Sequence, residues 1–134
     1  MTIGMPVPVS ALYLAIFAVF ATVLAFLPGR IRGADDIPIG DGGRRDLLLH
    51  MRRHANFVEY VPYFMLMLVA LELNGTSDGW LHGLGIAMVL ARIAHAIGIK
   101  EDTTRHPLRA VGAGGTMLAS LVAAVMLAGQ FFRS

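Results

Sequence analysis

Four apolar blocks, at residues 7–27, 55–73, 80–99 and 111–132, fill most of a 134-residue chain. Each has about the 20 residues that a helix rising 1.5 Å per residue needs to cross a ~30 Å hydrocarbon core. The chain is 56% hydrophobic and only 15% charged, and its apolar residues are gathered into these blocks instead of being spread along amphipathic faces. One integral membrane domain is therefore expected, all-α, a four-helix bundle with spans over 7–27, 47–73, 80–99 and 109–132. None of the blocks alternates apolar and polar residues in ~10-residue strands, which argues against a β-barrel. Helices satisfy their own backbone in lipid.

The first block has no Lys or Arg before Arg30 and is longer than the apolar core of a signal peptide, so it reads as a retained span. Arg30, Arg32, Arg44, Arg45, Arg52 and Arg53 lie between or beside the first two spans, and Lys100, Arg105 and Arg109 between the last two. The connection at residues 74–79 has neither Lys nor Arg. By the positive-inside rule both basic loops are cytoplasmic and both termini lie outside. The basic residues then have membrane lipids as ready partners, and the net charge of +2 calls for no nucleic acid. The chain lacks cysteine, so any thiol chemistry must use a thiol brought by a substrate.

Polar residues run into the second span. Arg52, Asn56, Glu59 and Tyr63 are spaced by four, three and four residues and are expected on one face of a helix starting near Arg44 and ending near Leu73. That helix is ~45 Å long and projects into the cytoplasm. Spans two and three are joined by a short turn and run antiparallel. Counting back from it puts Glu59 at ~22 Å, level with Arg92 at ~20 Å, and Asn56 at ~27 Å, level with His95 at ~24 Å. Glu59 is thus expected to meet Arg92, and Asn56 to meet His95. Two readings follow: an ion pair that sets helix register, or a set of convergent groups for a polar ligand.

The remaining features are mainly structural. Gly40-Asp41-Gly42-Gly43 lacks a following Lys-Ser/Thr and reads as a tight turn before a helix, with Asp46 an early-turn acid favoured by the helix dipole. His50 and His54 have the i, i+4 spacing of metal ligands but no third partner, so no metal site is assigned. Glu72, Asn74 and Asp78 are expected in water at the outer interface, and Trp80 in the aromatic belt. Pro62 is expected to bend the second span. Gly112, Thr116, Ser120, Ala124 and Ala128 form one small-residue ridge, with Gly115, Ala119 and Ala123 beside it, and Gly83, Ala87 and Ala91 form another on span three. Such ridges allow close helix approach in lipid and favour an oligomer.

The motifs Arg52-x-x-x-Asn56-x-x-Glu59-Tyr60-x-Pro62, Ala91-Arg92-x-x-His95 and Arg105-His106-Pro107-Leu108-Arg109 together resemble the MAPEG family, the membrane-associated proteins in eicosanoid and glutathione metabolism. The Gly-Asp-Gly-Gly turn and Glu72-x-Asn74-Gly75 look like its bacterial branch, and the similarity covers nearly the whole chain. The resemblance implies a homotrimer in a bacterial inner membrane, with glutathione as cosubstrate bound between subunits at a site open to the cytoplasm. The resemblance implies glutathione contacts at Arg30, Arg52, Asn56, Glu59, Tyr60, Arg92, His95 and Arg105, and a catalytic arginine at the sulfur, for which Arg109 aligns best and Arg105 is the alternative.

The chemistry is consistent with that implication. Glutathione has two carboxylates, an ammonium and a thiol, which call for guanidinium forks, a carboxylate and a cation near sulfur. A thiol with pKa near 8.5 is a few per cent thiolate at neutral pH, and an adjacent guanidinium favours that nucleophilic form. The implied activity is a transferase acting on hydrophobic electrophiles, or a peroxidase acting on lipid hydroperoxides. Ile99 stands where several eukaryotic members carry a tyrosine, and Asp35 or Asp36 lies in a loop where one branch pairs an acid with its catalytic arginine. Other members bind lipid or partner proteins without catalysis, so a noncatalytic scaffold is the alternative function. A small ion or proton carrier is disfavoured because the polar layer has no continuation to the Trp80 side.

Overall fold

The computed structural model describes residues 4–100 and 102–133. Among them are four helices and no strands: α1 (Pro8–Ala34), α2 (Arg45–Leu73), α3 (Asp78–Gly98) and α4 (Pro107–Phe131). Each is long and apolar enough to cross a membrane. α1 continues to Ala34, well past the end of its apolar block, and at ~1.5 Å per residue its 27 residues exceed the ~30 Å core. The polar end therefore stands outside hydrocarbon.

Local chemistry explains the ends. Pro8 and Pro107 occupy first-turn positions, where a missing N–H costs nothing. The His106 side chain caps α4 by accepting from Leu108 N at 3.3 Å. α2 stops in a Schellman turn: Gly75 adopts φ 78°, its N–H donates to Glu72 O at 3.0 Å, and Thr76 N donates to Leu71 O at 3.0 Å. α1 ends similarly, with Asp36 at φ 52° and Ile37 N donating to Arg32 O at 3.0 Å. In the α1–α2 loop Asp41 Oδ1 accepts from Gly43 N at 2.9 Å, and Arg44 pairs with both Asp35 and Asp46. The Asp46 hydrogen bond raises the Arg44 pKa. Asp35 is thereby engaged with Arg44 and not with an arginine of α4.

The core is assembled on α2. Phe17 and Phe20 of α1 meet Phe57 edge-on, with ring centroids 6.0 and 5.0 Å apart, and Phe64, Leu68 and Leu71 continue the buried stripe against Leu81 and Met88 of α3. The closest pairing is between α3 and α4. A Cβ on Gly112 would lie 2.3 Å from His95 N, and one on Gly98 would lie 2.2 Å from Arg109 N. Only glycine permits backbones this near. The buried ridge on α4 is Gly112, Thr116, Ala119 and Ala123, so it crosses between the two small-residue rows; Ala124 and Ala128 are exposed. On α3, Ala91 is buried within the chain while Gly83 and Ala87 are exposed on its surface. α2 passes Pro62 as a continuous helix. Large apolar side chains such as Phe26, Leu66, Leu90 and Leu121 are exposed around the bundle, as contact with lipid requires.

The end carrying the α2–α3 turn is closed by polar contacts. Glu72 is not simply solvated: its carboxylate accepts from Val9 N at 2.8 Å and Ser10 N at 2.7 Å, capping an α1 terminus that has no side-chain cap of its own. Tyr13 lies over Gly85, and its hydroxyl reaches His82 Nδ1 at 3.0 Å. Asn74 donates to Gln130 Oε1 at 3.1 Å, and Gln130 donates to Thr76 Oγ1 at 2.9 Å.

Candidate functional site

At the opposite end, a cleft of about 310 Å³ opens between α2, the end of α3 and the start of α4. That is near the lower bound of small-molecule sites, about 300 Å³. α2 supplies Arg45, Leu48, Leu49, Arg52 and Asn56; His95, Ile99 and Lys100 come from α3 and its exit; Arg109 comes from the first turn of α4. Among the described residues, four cations and no carboxylate line it. Local structure aims Arg109: the His106 cap starts the helix, and Gly98 lets its backbone rest on the end of α3. The positive end of the α4 dipole adds to the same field. The chemistry of the cleft is that of an anion site with apolar walls.

Asn56 and His95 also line a smaller cavity of about 40 Å³ deeper in the bundle, together with Tyr60, Arg92 and Thr116. By volume it suits a few waters, each needing ~10–15 Å³. Arg92 is only 2% exposed. It donates to Asn56 Oδ1 at 2.6 Å and Thr116 Oγ1 at 3.3 Å, lies 3.4 Å from His95 Nδ1, and stacks its guanidinium 5.9 Å from the Phe57 centroid. Because arginine only donates, the His95 contact assigns the Nδ1 lone pair to Arg92 and the ring proton to Nε2. The Thr116 hydroxyl in turn donates to Gly112 O at 2.8 Å. Arg92 Nε has no hydrogen-bond partner.

The expected pairing of Glu59 with Arg92 is not formed. Asn56 takes the guanidinium, and Glu59 is exposed. Depth counting places residues at a height but not around the helix axis, and 100° per residue turns Glu59 away from α3. Arg52, Glu59 and Tyr63 are likewise exposed, whereas Asn56 is half-buried, so the four do not share one environment. Of the candidate residues, Arg52, Asn56, His95 and Arg109 line the cleft; Tyr60 and Arg92 join Asn56 and His95 around the inner cavity. Arg30, Glu59 and Arg105 are exposed and line neither. Arg45 and Lys100 were not singled out beforehand, because in a linear chain they look like ordinary flanking charges. Thr116 was visible only as a small packing residue. Ile99 is buried, lines the cleft, and offers its carbonyl to Arg53 Nη2 at 2.8 Å.

A four-span bundle with a buried arginine–asparagine–histidine network beneath a cationic cleft defines a class of membrane protein, and the MAPEG family model matches residues 10–129. The chain belongs to the MAPEG family. It is 32% identical over 97 residues to the inner membrane protein YecN of Escherichia coli strain K12, an alignment covering 72% of this chain and 74% of that protein. The YecN protein of Escherichia coli O6:H1 strain CFT073 matches to the same extent.

Proposed function

We propose that the protein is a glutathione-dependent transferase or peroxidase of the bacterial inner membrane, acting on hydrophobic electrophiles or lipid hydroperoxides. The observation that carries this reading is the convergence of Arg45, Arg52, Lys100 and Arg109 on one cleft, with no acidic side chain among the described residues that line it. Membership of the MAPEG family favours glutathione as the anion, and the inner-membrane relatives support the location. In this reading the cleft faces the cytoplasm, both termini lie outside, and the working unit is a homotrimer. The exposed Arg30 and Glu59 then meet ligand at a subunit boundary, with Glu59 receiving the ammonium.

Arg45 and Arg52 take the carboxylates, and Arg109 with the α4 N-terminus holds the sulfur as thiolate. In the transferase reaction the thiolate forms a C–S bond while the leaving group departs with the bonding pair, or an epoxide C–O bond opens to an alkoxide. In the peroxidase reaction it attacks the terminal oxygen of the hydroperoxide, the O–O bond breaks, a sulfenic acid forms, and the departing alkoxide takes a proton from water to become the alcohol. A second glutathione converts the sulfenic acid to disulfide and water. Ile99 keeps one wall apolar.

The experiment is titration of the purified oligomer with glutathione by calorimetry, followed by conjugation with an aryl halide. Binding with turnover supports the proposal. Binding without turnover favours the noncatalytic scaffold, and no binding rejects both uses of the cleft for glutathione.

A further inference from the structure

The polar cleft and the inner cavity share two side chains, Asn56 and His95, and each can face a ligand in two ways. An amide presents either its oxygen or its nitrogen, and a neutral imidazole carries its proton on either ring nitrogen; the contact made at the other end decides. Arg92 makes that contact for both. Its Nη2 donates to Asn56 Oδ1 at 2.6 Å and lies 3.4 Å from His95 Nδ1. We propose that Arg92 is a positioning residue that turns both side chains into hydrogen-bond donors toward the cleft, Asn56 through Nδ2–H and His95 through Nε2–H, and so makes the cleft selective for ligand atoms that only accept.

The orientation follows from the one-way chemistry of a guanidinium, which donates and never accepts. With Asn56 Oδ1 and the His95 Nδ1 lone pair taken up by Arg92, only N–H groups remain at the far end of each side chain. Arg92 is itself fixed: it is buried, its Nη1 donates to Thr116 Oγ1 at 3.3 Å, and that hydroxyl is turned by its own bond to Gly112 O at 2.8 Å. His95 is 6% exposed, so turning its ring over requires the close-packed surroundings to move. A carboxylate or a thiolate satisfies such donors. A ligand proton, by contrast, finds no free nitrogen on His95 to receive it. The orientation by Arg92 is independent of which anion enters the cleft; its use for glutathione rests on the function proposed above, where it implies that the thiol proton leaves to water and not to His95.

Nitrogen-15 NMR of the histidine-labelled protein in lipid, without ligand and at neutral pH, tests the orientation. The signal of the His95 ring is the one missing from His95→Gln. The expected pattern is pyridine-type for Nδ1 and pyrrole-type for Nε2. Arg92→Met should mix the two tautomers, and Arg92→Lys, which keeps a cationic donor, should bring the original pattern back. A pyrrole-type Nδ1 in the unaltered protein would overturn the proposal, as would a tautomer that Arg92→Met leaves unchanged. Should Arg92→Met not fold, a through-space correlation between the Arg92 guanidinium and His95 Nδ1 in the unaltered protein decides the matter, and its absence overturns the assignment. Glutathione titration tests the use of the donor: His95→Leu should bind about tenfold more weakly than His95→Gln, whose amide N–H stands in for Nε2–H. Equal affinities of the two variants would remove His95 from the cleft's donors. A protein that has the expected ring pattern but binds no glutathione rejects the proposed substrate and keeps the orientation by Arg92.

Discussion

The two ends of the bundle use polar residues in opposite ways. Where α2 turns into α3, Glu72, Tyr13, His82, Asn74, Gln130 and Thr76 are paired with one another or with backbone. At the other end Arg45, Arg52, Lys100 and Arg109 converge on an open cleft with no carboxylate among its described lining residues. Unsatisfied polar groups are costly in hydrocarbon, so the closed end is explained by stability alone. The cleft is not explained that way, because gathering like charges opposes folding. A ligand of opposite charge accounts for the difference.

That contrast can be broken at several points. The largest effect is expected at the glycine crossing that builds the floor of the cleft. Gly112→Leu drives a side chain into the His95 backbone and should cost about 3 kcal/mol or more, seen as loss of folded protein or a sharply lower melting temperature in detergent. Arg109→Ala should leave the melt nearly unchanged and lower turnover about 100-fold, as loss of one preorganised charge-stabilising group does. Ultraviolet absorbance of bound thiolate should fall with it, and the apparent thiol pKa should move back toward ~8.5. The sign follows from stabilising the anion: removing the cation raises the pKa, so activity lost at neutral pH returns partly as pH increases. Unchanged thiolate absorbance in Arg109→Ala would remove this residue from the sulfur.

Smaller effects belong to the closed end. Glu72→Ala should destabilise by about 1–2 kcal/mol through loss of the α1 cap, with glutathione affinity intact. Tyr13→Phe should cost about 1 kcal/mol for its single hydroxyl contact region and leave turnover alone. If either substitution weakened ligand binding more than stability, the division of labour between the two ends would be wrong.

The helices were legible because 20-residue apolar blocks have few alternatives, and the basic loops marked their polar ends. The α1 extension to Ala34 was less visible, since its last turns carry Gly29, Arg30, Arg32 and Gly33 outside the apolar block. The candidate site was partly legible: the helical spacing of Arg92 and His95 places them on one buried face, and Asn56 sits at a matching depth. The partner of Arg92 was misjudged because small differences in helix rotation decide between Asn56 and Glu59, and hydropathy carries no information on rotation. Glu72 was missed for another reason. Its partners lie 62 and 63 residues away, and only the uncapped start of α1 hints that an acceptor must come from elsewhere.

The most direct test is isothermal calorimetry of glutathione binding to the folded oligomer, comparing the unaltered protein with an Arg52→Ala/Arg109→Ala double variant of matched melting temperature. The account predicts saturable heat from the unaltered protein and a loss of at least about 100-fold in affinity in the double variant, consistent with removing two charge-assisted contacts. Equal affinity in the two proteins would contradict it, because the cations of the cleft would then have no part in holding the ligand.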